Sequence, residues 1–296
     1  MSVRYRRCRV GGSCSFPPCL GWPDWQCGGG GEVHLAQSGL FEIAWRNLSM
    51  RKLAFMAALA AGYPLHSVGA PLNDTGMTQC FDGSSLVTCN AASTGDATGG
   101  PRQDGRYGRD AQAVAGVLSK TGGGAGGFDF TPLAANGAEI LPGDPTEPSC
   151  IRDNHTSLLW EAKTNDGGLR DVDWRYSWYD GATGNPDEGN NCSNTSRCDT
   201  QKYVQDVNAA NLCGYPTGWR LPTRRELLSI VHHGSSNPSI DGSYFPNTAY
   251  ALAGYWTNDL NAIAPGQARA VFFSDGKSGS QAYSNQYAVR LVRSLP

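Results

Sequence analysis

Residues 219–231, Trp-Arg-Leu-Pro-Thr-Arg-Arg-Glu-Leu-Leu-Ser-Ile-Val, constrain the fold of this chain more than any other stretch. Pro222 restricts Leu221 to extended geometry. Thr223 is placed to cap a helix through its hydroxyl, and Glu226, three residues on, can reach back to the Thr223 amide, which makes a capping box. A helix is therefore expected from Arg224. Leu227, Leu228 and Val231, with Ile230 beside them, supply its apolar stripe, and the helix should stop at His232-His233-Gly234. Trp219 and Leu221 are expected inside, in the strand end before the turn. Arg224 and Arg225 stand in the first helical turn, where cations oppose the macrodipole. Helix propensity does not account for them, so they are candidates for ligand contact.

The chain of 296 residues has room for one large domain or two modest ones. Residues 1–49 show neither helical nor strand periodicity and hold Cys8, Cys14, Cys19 and Cys27 at spacings that match no common zinc pattern. Met50-Arg51-Lys52, the apolar run Leu53–Ala61 and the small residues Ser67, Gly69 and Ala70 then read as a secretory signal peptide. This predicts that translation starts at Met50, that residues 1–49 are a non-translated or disordered extension, that residues 50–70 are the signal, and that the mature chain is exported to the periplasm, cell surface or medium. No transmembrane segment is expected once the signal is removed.

From residue 71 onward there are 17 Lys and Arg against 23 Asp and Glu, a formal net charge of −6, which argues against nucleic acid as a partner. The same region holds Cys80, Cys89, Cys150, Cys192, Cys198 and Cys213. An even number of cysteines in an exported chain points to disulfides. Pairing Cys80 with Cys89 and Cys192 with Cys198 closes two short loops and leaves Cys150 with Cys213 as a long-range staple. Metal ligation by these thiols is the alternative.

Residues 71–148 read as a small Gly-rich module of short strands and turns, including Gln103–Asp110, with a Cys80–Cys89 hairpin and apolar patches at Val114–Leu118 and Phe128–Phe130. Residues 142–148 form its linker. The second domain, residues 149–296, opens with a strand at Leu158–Glu161. Trp174, Tyr176 and Trp178 alternate as they would on one strand face. They read either as core packing or as a stacking platform for a sugar ring. Tyr203, Val204, Val207 and Ala210 mark a first helix, Tyr255–Asn258 and Arg269–Phe273 mark strands, Asp275-Gly276 is a hairpin signal, and Ala288–Val292 is the closing strand.

The signature, together with Asn154, Leu158–Glu161, Cys213-Gly214, Ile240-Asp241, Phe245-Pro246, Tyr255-Trp256 and Val289–Arg293, resembles the bacterial family named for the C-terminal domain of the Legionella collagen-like adhesin. The turn and the closing strand are also similar to those of the formylglycine-generating enzymes. The resemblance implies an α+β, C-type-lectin-like domain with two helices, mostly antiparallel strands and paired terminal strands. It also implies a polysaccharide, sulfated in the adhesin's case, or another envelope protein as partner.

The enzymes' copper-binding cysteine pair has no counterpart here, because no cysteine follows Cys213. No Gly-x-Ser-x-Gly turn is present either. Trp256-Thr257-Asn258-Asp259 and Asn185-Pro186-Asp187 resemble pieces of a calcium-dependent sugar site, so calcium is the one ion left open and no other cofactor or metal is expected. Arg220 and Arg290 should make structural bonds to carboxylates such as Asp241 or Glu226. The expected function is therefore non-enzymatic recognition or adhesion. An enzyme relative with an altered site and a purely structural envelope domain are the alternatives, and oligomeric state is open.

Overall fold

Alternating side chains place core on both faces of the central strands. The computed structural model describes residues 73–89, 103–186, 191–193, 197–251 and 254–296. The extension expected over residues 1–49 and the signal expected over residues 50–70 lie outside them. In β5 (Leu158–Glu161), Leu158 and Trp160 join one apolar cluster and Leu159 joins the other. In β6 (Tyr255–Leu260) and β7 (Gln267–Phe272), Tyr255 and Val271 go with Trp160, while Trp256, Ala268 and Ala270 go with Leu159. Successive strand residues point to opposite faces, so runs such as Leu158-Leu159-Trp160 are buried throughout.

The architecture is α+β. A short hairpin, β1 (Cys80–Phe81) with β2 (Leu86–Val87), precedes two small helices, α1 (Asp104–Tyr107) and α2 (Arg109–Val114). Strands β3 (Phe130–Leu133), β4 (Cys150–Asp153), β5 and β9 (Val292–Ser294) form an antiparallel sheet in the order β3-β4-β5-β9. Strands β6, β7 and β8 (Lys277–Ala282) form a second antiparallel sheet, in which β7 and β8 make the hairpin across Asp275-Gly276. Helix α3 (Thr200–Ala209) is capped by Asp199 and buries Thr200, Tyr203 and Val207. The C-terminal strand pairs with β5 in the register Leu158↔Ser294 and Trp160↔Val292.

The sheet crosses the boundary expected at 148/149, because β3 pairs with β4 along its whole length and Asn154 donates to Asp129. Gln103–Asp110, expected as strands and turns, is helical instead. Gly105 is buried where a Cβ would lie 2.7 Å from the Met77 carbonyl oxygen and 2.9 Å from Cys89 Sγ, so the glycine lets α1 pack onto the β1–β2 hairpin. Val114 and Val117 are 68% and 73% exposed and form no core patch, whereas Phe128 and Phe130 are buried. The closing strand begins later than Ala288. The Leu291 N–H donates to the Glu161 carboxylate rather than to a ladder carbonyl, and Ala288 makes only an isolated bridge to Tyr255.

The signature straddles the two apolar clusters. Trp219 and Leu221 enter the first, and Leu227, Ile230 and Val231 enter the second. Helix α4 (Arg224–Leu228) starts where expected, with Glu226 N–H bonded to Thr223 Oγ1 at 3.1 Å and Thr223 N–H to Glu226 Oε2 at 2.7 Å. It ends at Leu228, short of Val231, because Ser229 Oγ donates to the Glu226 carbonyl and closes the turn. His232 and His233 therefore do not cap a helix. The His232 N–H donates to the Ser239 carbonyl and the His233 N–H to the Thr75 carbonyl.

The disulfides are Cys80–Cys89, Cys150–Cys213 and Cys192–Cys198, the expected set. Cys150–Cys213 spans 63 residues and ties β4 to the turn after α3, whereas Cys192–Cys198 spans 6. Loop-closure entropy grows with the spanned length, so replacing Cys150 and Cys213 by Ser should destabilise the protein by about 4 kcal/mol, and replacing Cys192 and Cys198 by about 2 kcal/mol. Urea unfolding of both double variants checks this order, and equal midpoint shifts would contradict it.

Candidate functional site

Arg220, Thr223 and Glu226 form one bonded unit at the start of α4. Glu226 Oε1 and Oε2 accept from Arg220 Nη2 at 2.7 Å and Nη1 at 2.8 Å, a two-pronged pairing stronger than a single contact. Burial pushes the Glu226 carboxyl up, but the bonds from Arg220 and Thr223 outweigh it and hold the pKa below the usual carboxylate range. Arg220 thus takes Glu226 of the two carboxylates expected. Asp241 instead accepts from the Ala125 and Ser243 amides.

Arg290 departs from expectation. It is fully buried and donates to the Glu161 carbonyl at 3.0 Å and to Thr248 Oγ1 at 2.8 Å, and its guanidinium lies over the rings of Phe245 and Tyr255. Backbone, hydroxyl and aromatic faces, rather than Asp241 or Glu226, receive its charge.

Arg224 and Arg225 are exposed and make no ion pair among the described residues. The Arg224 amide donates to Asp259 Oδ2, so two carboxylates, Glu226 and Asp259, offset the cost of two arginines at a helix start. Across from α4, the His233 amide and the bond from Asn73 Nδ2 to Asp153 Oδ2 fix residues 73–75. Between these elements lies a pocket of about 450 Å³ lined by Asp74, Thr75, Arg224, Arg225, Leu228 and His233, among others.

Burial, then the hydrogen-bonded carboxyl of Asp110 and the charges of Asp110 and Asp104, push Asp74 up to about 7, against the lowering effect of the Gly127 N–H. Burial, with the neighbouring His232 charge, pushes His233 down. As pH falls through about 7 the Asp74 wall of this pocket loses its charge, which leaves Arg224, Arg225 and His233 as the basic groups of its lining.

Asp74, Asp104 and Asp110 bring carboxylate oxygens within 4.8 Å of one another, the one grouping of metal-ligand type among the described residues. Protein donors already address these oxygens. The Thr75 hydroxyl bonds Asp104 and Asp110, and the Gly127 N–H bonds Asp74 and Asp110. Of the pieces of a calcium-dependent sugar site, Asp187 lies outside the described residues, and Thr257 is buried, with its hydroxyl donating to the Arg269 carbonyl.

The aromatic triplet does not share one strand face. Tyr176 and Trp178 are 2% and 1% exposed inside the first apolar cluster and belong to no strand. Trp178 Nε1 donates to the Thr257 carbonyl, and its ring stacks on Tyr283 at 4.9 Å. A sugar cannot reach either residue. Trp174 alone is partly exposed, beside an open groove.

Residues 149–293 match the family model described as the Lcl C-terminal domain. No curated protein and no solved structure matches the chain.

The folded protein retains a proton on Asp74 that an unfolded chain, with its carboxyl near 3.8, releases. That contribution to stability is fully present below about pH 4 and is lost as pH rises towards 7. Asp74→Asn imitates the protonated form, so its melting temperature should gain on the wild type between about pH 5 and pH 8. Paired thermal melts across that range check this. A difference that stays flat would mean that Asp74 is ionised throughout.

Proposed function

Residues 149–293 belong to the Lcl C-terminal domain family, and on that premise we propose an exported, non-enzymatic recognition module of the bacterial envelope or surface. In this reading a C-type-lectin-like domain binds anionic polysaccharide through the pocket of Arg224 and Arg225. The observation that carries the reading is a pair of exposed arginines, without carboxylate partners among the described residues, over a pocket whose lining includes Asp74, a carboxyl that burial and Asp110 push up to about 7. Guanidinium groups present planar, forked donors that suit sulfate and carboxylate oxygens.

The two helices of the matched region and the pairing of β5 with β9 support the lectin-like domain. Three disulfides support export into an oxidising compartment. They also engage all six cysteines from residue 71 onward, which supports a non-enzymatic role over cysteine-dependent copper chemistry. No helix among the described residues is long and apolar enough to cross a membrane.

Arg224→Ser with Arg225→Ser should leave the fold intact, because neither side chain is buried or paired among the described residues, and should weaken binding to dextran sulfate by about tenfold or more at low salt. Wild-type binding should strengthen as pH falls from about 8 to about 5, when Asp74 takes up its proton. Surface-immobilised dextran sulfate, with uncharged dextran as control, measures both effects. Unchanged affinity in the double variant would remove the arginines from the site.

A further inference from the structure

A second groove differs from the arginine pocket in both residues and chemistry. It measures about 630 Å³ and is lined by Asn165, Gly167, Asp171, Asp173, Trp174, Arg175 and Asn191. That volume lies in the range of about 300–1,000 Å³ occupied by small ligands. None of these residues lines the Arg224–Arg225 pocket.

The loop that forms the groove is built around one carboxylate. Asp171 is 3% exposed and accepts the amides of Asp166 at 2.7 Å, Gly167 at 2.6 Å and Asp173 at 2.8 Å. Burial raises its pKa, but those three bonds outweigh it and keep the pKa below the usual range. Trp174 is fixed in turn, because its indole N–H donates to the Gly168 carbonyl at 2.6 Å. Arg175 Nη1 bonds the Val172 and Trp174 carbonyls at 2.6 and 2.9 Å.

With the polar edge of the indole engaged inside the protein, the ring offers the groove an apolar surface held in place. Around it stand the side chains of Asp173 and Asn165, both exposed and without a hydrogen-bond partner among the described residues. A carboxylate accepts and an amide both donates and accepts, so together they complement adjacent hydroxyls, which do both. Asp171 and Asp173 stand against Arg175 in the lining, which leaves it with a net negative charge and no pull on an anion.

We propose that the Trp174 groove is a binding subsite for an uncharged pyranose, with a flat C–H face of the sugar on the indole and adjacent hydroxyls on Asp173 and Asn165. Sugars with equatorial substituents, which leave such faces flat, fit best. The subsite does not require the arginine pocket. It gives the chain a second mode of glycan contact, one insensitive to salt.

The test is an indole N–H nuclear magnetic resonance titration of the full chain, labelled with ¹⁵N-tryptophan, against cellohexaose and chitohexaose. The Trp174 signal is assigned by its loss in Trp174→Phe. A saturable shift of that signal is expected with at least one of the two oligosaccharides. Calorimetry should show affinity about tenfold weaker in Trp174→Ala and reduced in Asn165→Ala. Asn165 makes no bond within the fold among the described residues, so that variant tests the subsite even where Trp174→Ala misfolds. Arg224→Ser with Arg225→Ser should bind both oligosaccharides as the wild type does, which separates this result from the fate of the anionic pocket. No saturable shift with either oligosaccharide, or full affinity in both Trp174→Ala and Asn165→Ala, would overturn the proposal.

Discussion

One buried carboxylate, Glu161, joins segments that are far apart in the chain. It is fully buried and accepts from the Tyr203 hydroxyl on α3, from Lys163 Nζ at 3.0 Å and from the Leu291 amide at 2.8 Å. Its own amide donates to the Leu291 carbonyl, and its carbonyl accepts from Arg290. The matched region opens on β4 rather than on the strand expected at Leu158–Glu161, and its second strand, its longest helix and the C-terminal segment are thereby tied at one residue. A buried charge is tolerated only where its bonding capacity is filled. Burial pushes the Lys163 amine down, with Glu161 opposing that shift, and burial followed by the Glu161 charge raises the Tyr203 hydroxyl. Removing the Glu161 carboxylate would leave the buried Lys163 amine without its counter-charge and the Leu291 amide without its acceptor, so the knot depends on that one group.

The signature and the Glu161 knot divide the labour. The knot fixes β5 against the chain end, and the Arg220↔Val292 bridge fixes the signature to that same end. Two residues after Arg220 the chain turns at Pro222 and passes from one apolar cluster to the other. A thirteen-residue stretch can be so informative because both its halves are anchored and its turn admits few geometries.

What was legible in the sequence had its physical cause within a few residues. The capping box needs only Thr223 and Glu226, the β7–β8 hairpin needs only its Asp275-Gly276 turn, and the two short disulfides need only local loops. The Cys150–Cys213 staple followed by elimination. What was not legible depends on partners distant in sequence. Asp74 meets Asp104 and Asp110 only because α1 and α2 fold back over the first described segment, and no spacing rule announces it. The aromatic alternation of Trp174, Tyr176 and Trp178 suggested a strand, but Tyr176 pairs by one isolated bridge to Tyr287 and Ser177 by another to Asp199. The segment is pinned on two sides without a continuous ladder, so two of the three rings turn inward. The stretch Gln103–Asp110 reads as short strands and turns, yet the close packing of Gly105 on the hairpin makes it part of a helix.

Four arginines around the signature show how far environment outruns residue type. Arg290 is a core side chain whose charge is spread over carbonyl, hydroxyl and ring faces, and Arg220 is a brace for the capping box. Only Arg224 and Arg225 face solvent. They stand on a helix of five residues, far too short to persist alone in water, since helices below about 12–15 residues are marginal even with favourable sequences. Their positions are therefore borrowed from the Arg220–Glu226 pairing beneath them, the Asp259 carboxylate at the helix start and the buried Leu227. The backbone that carries them is fixed by these bonds, while both side chains stay exposed. The tight packing under α4 and the openness of its first turn are thus two aspects of one arrangement: the packing fixes the backbone, and the open turn leaves both guanidinium groups in solvent.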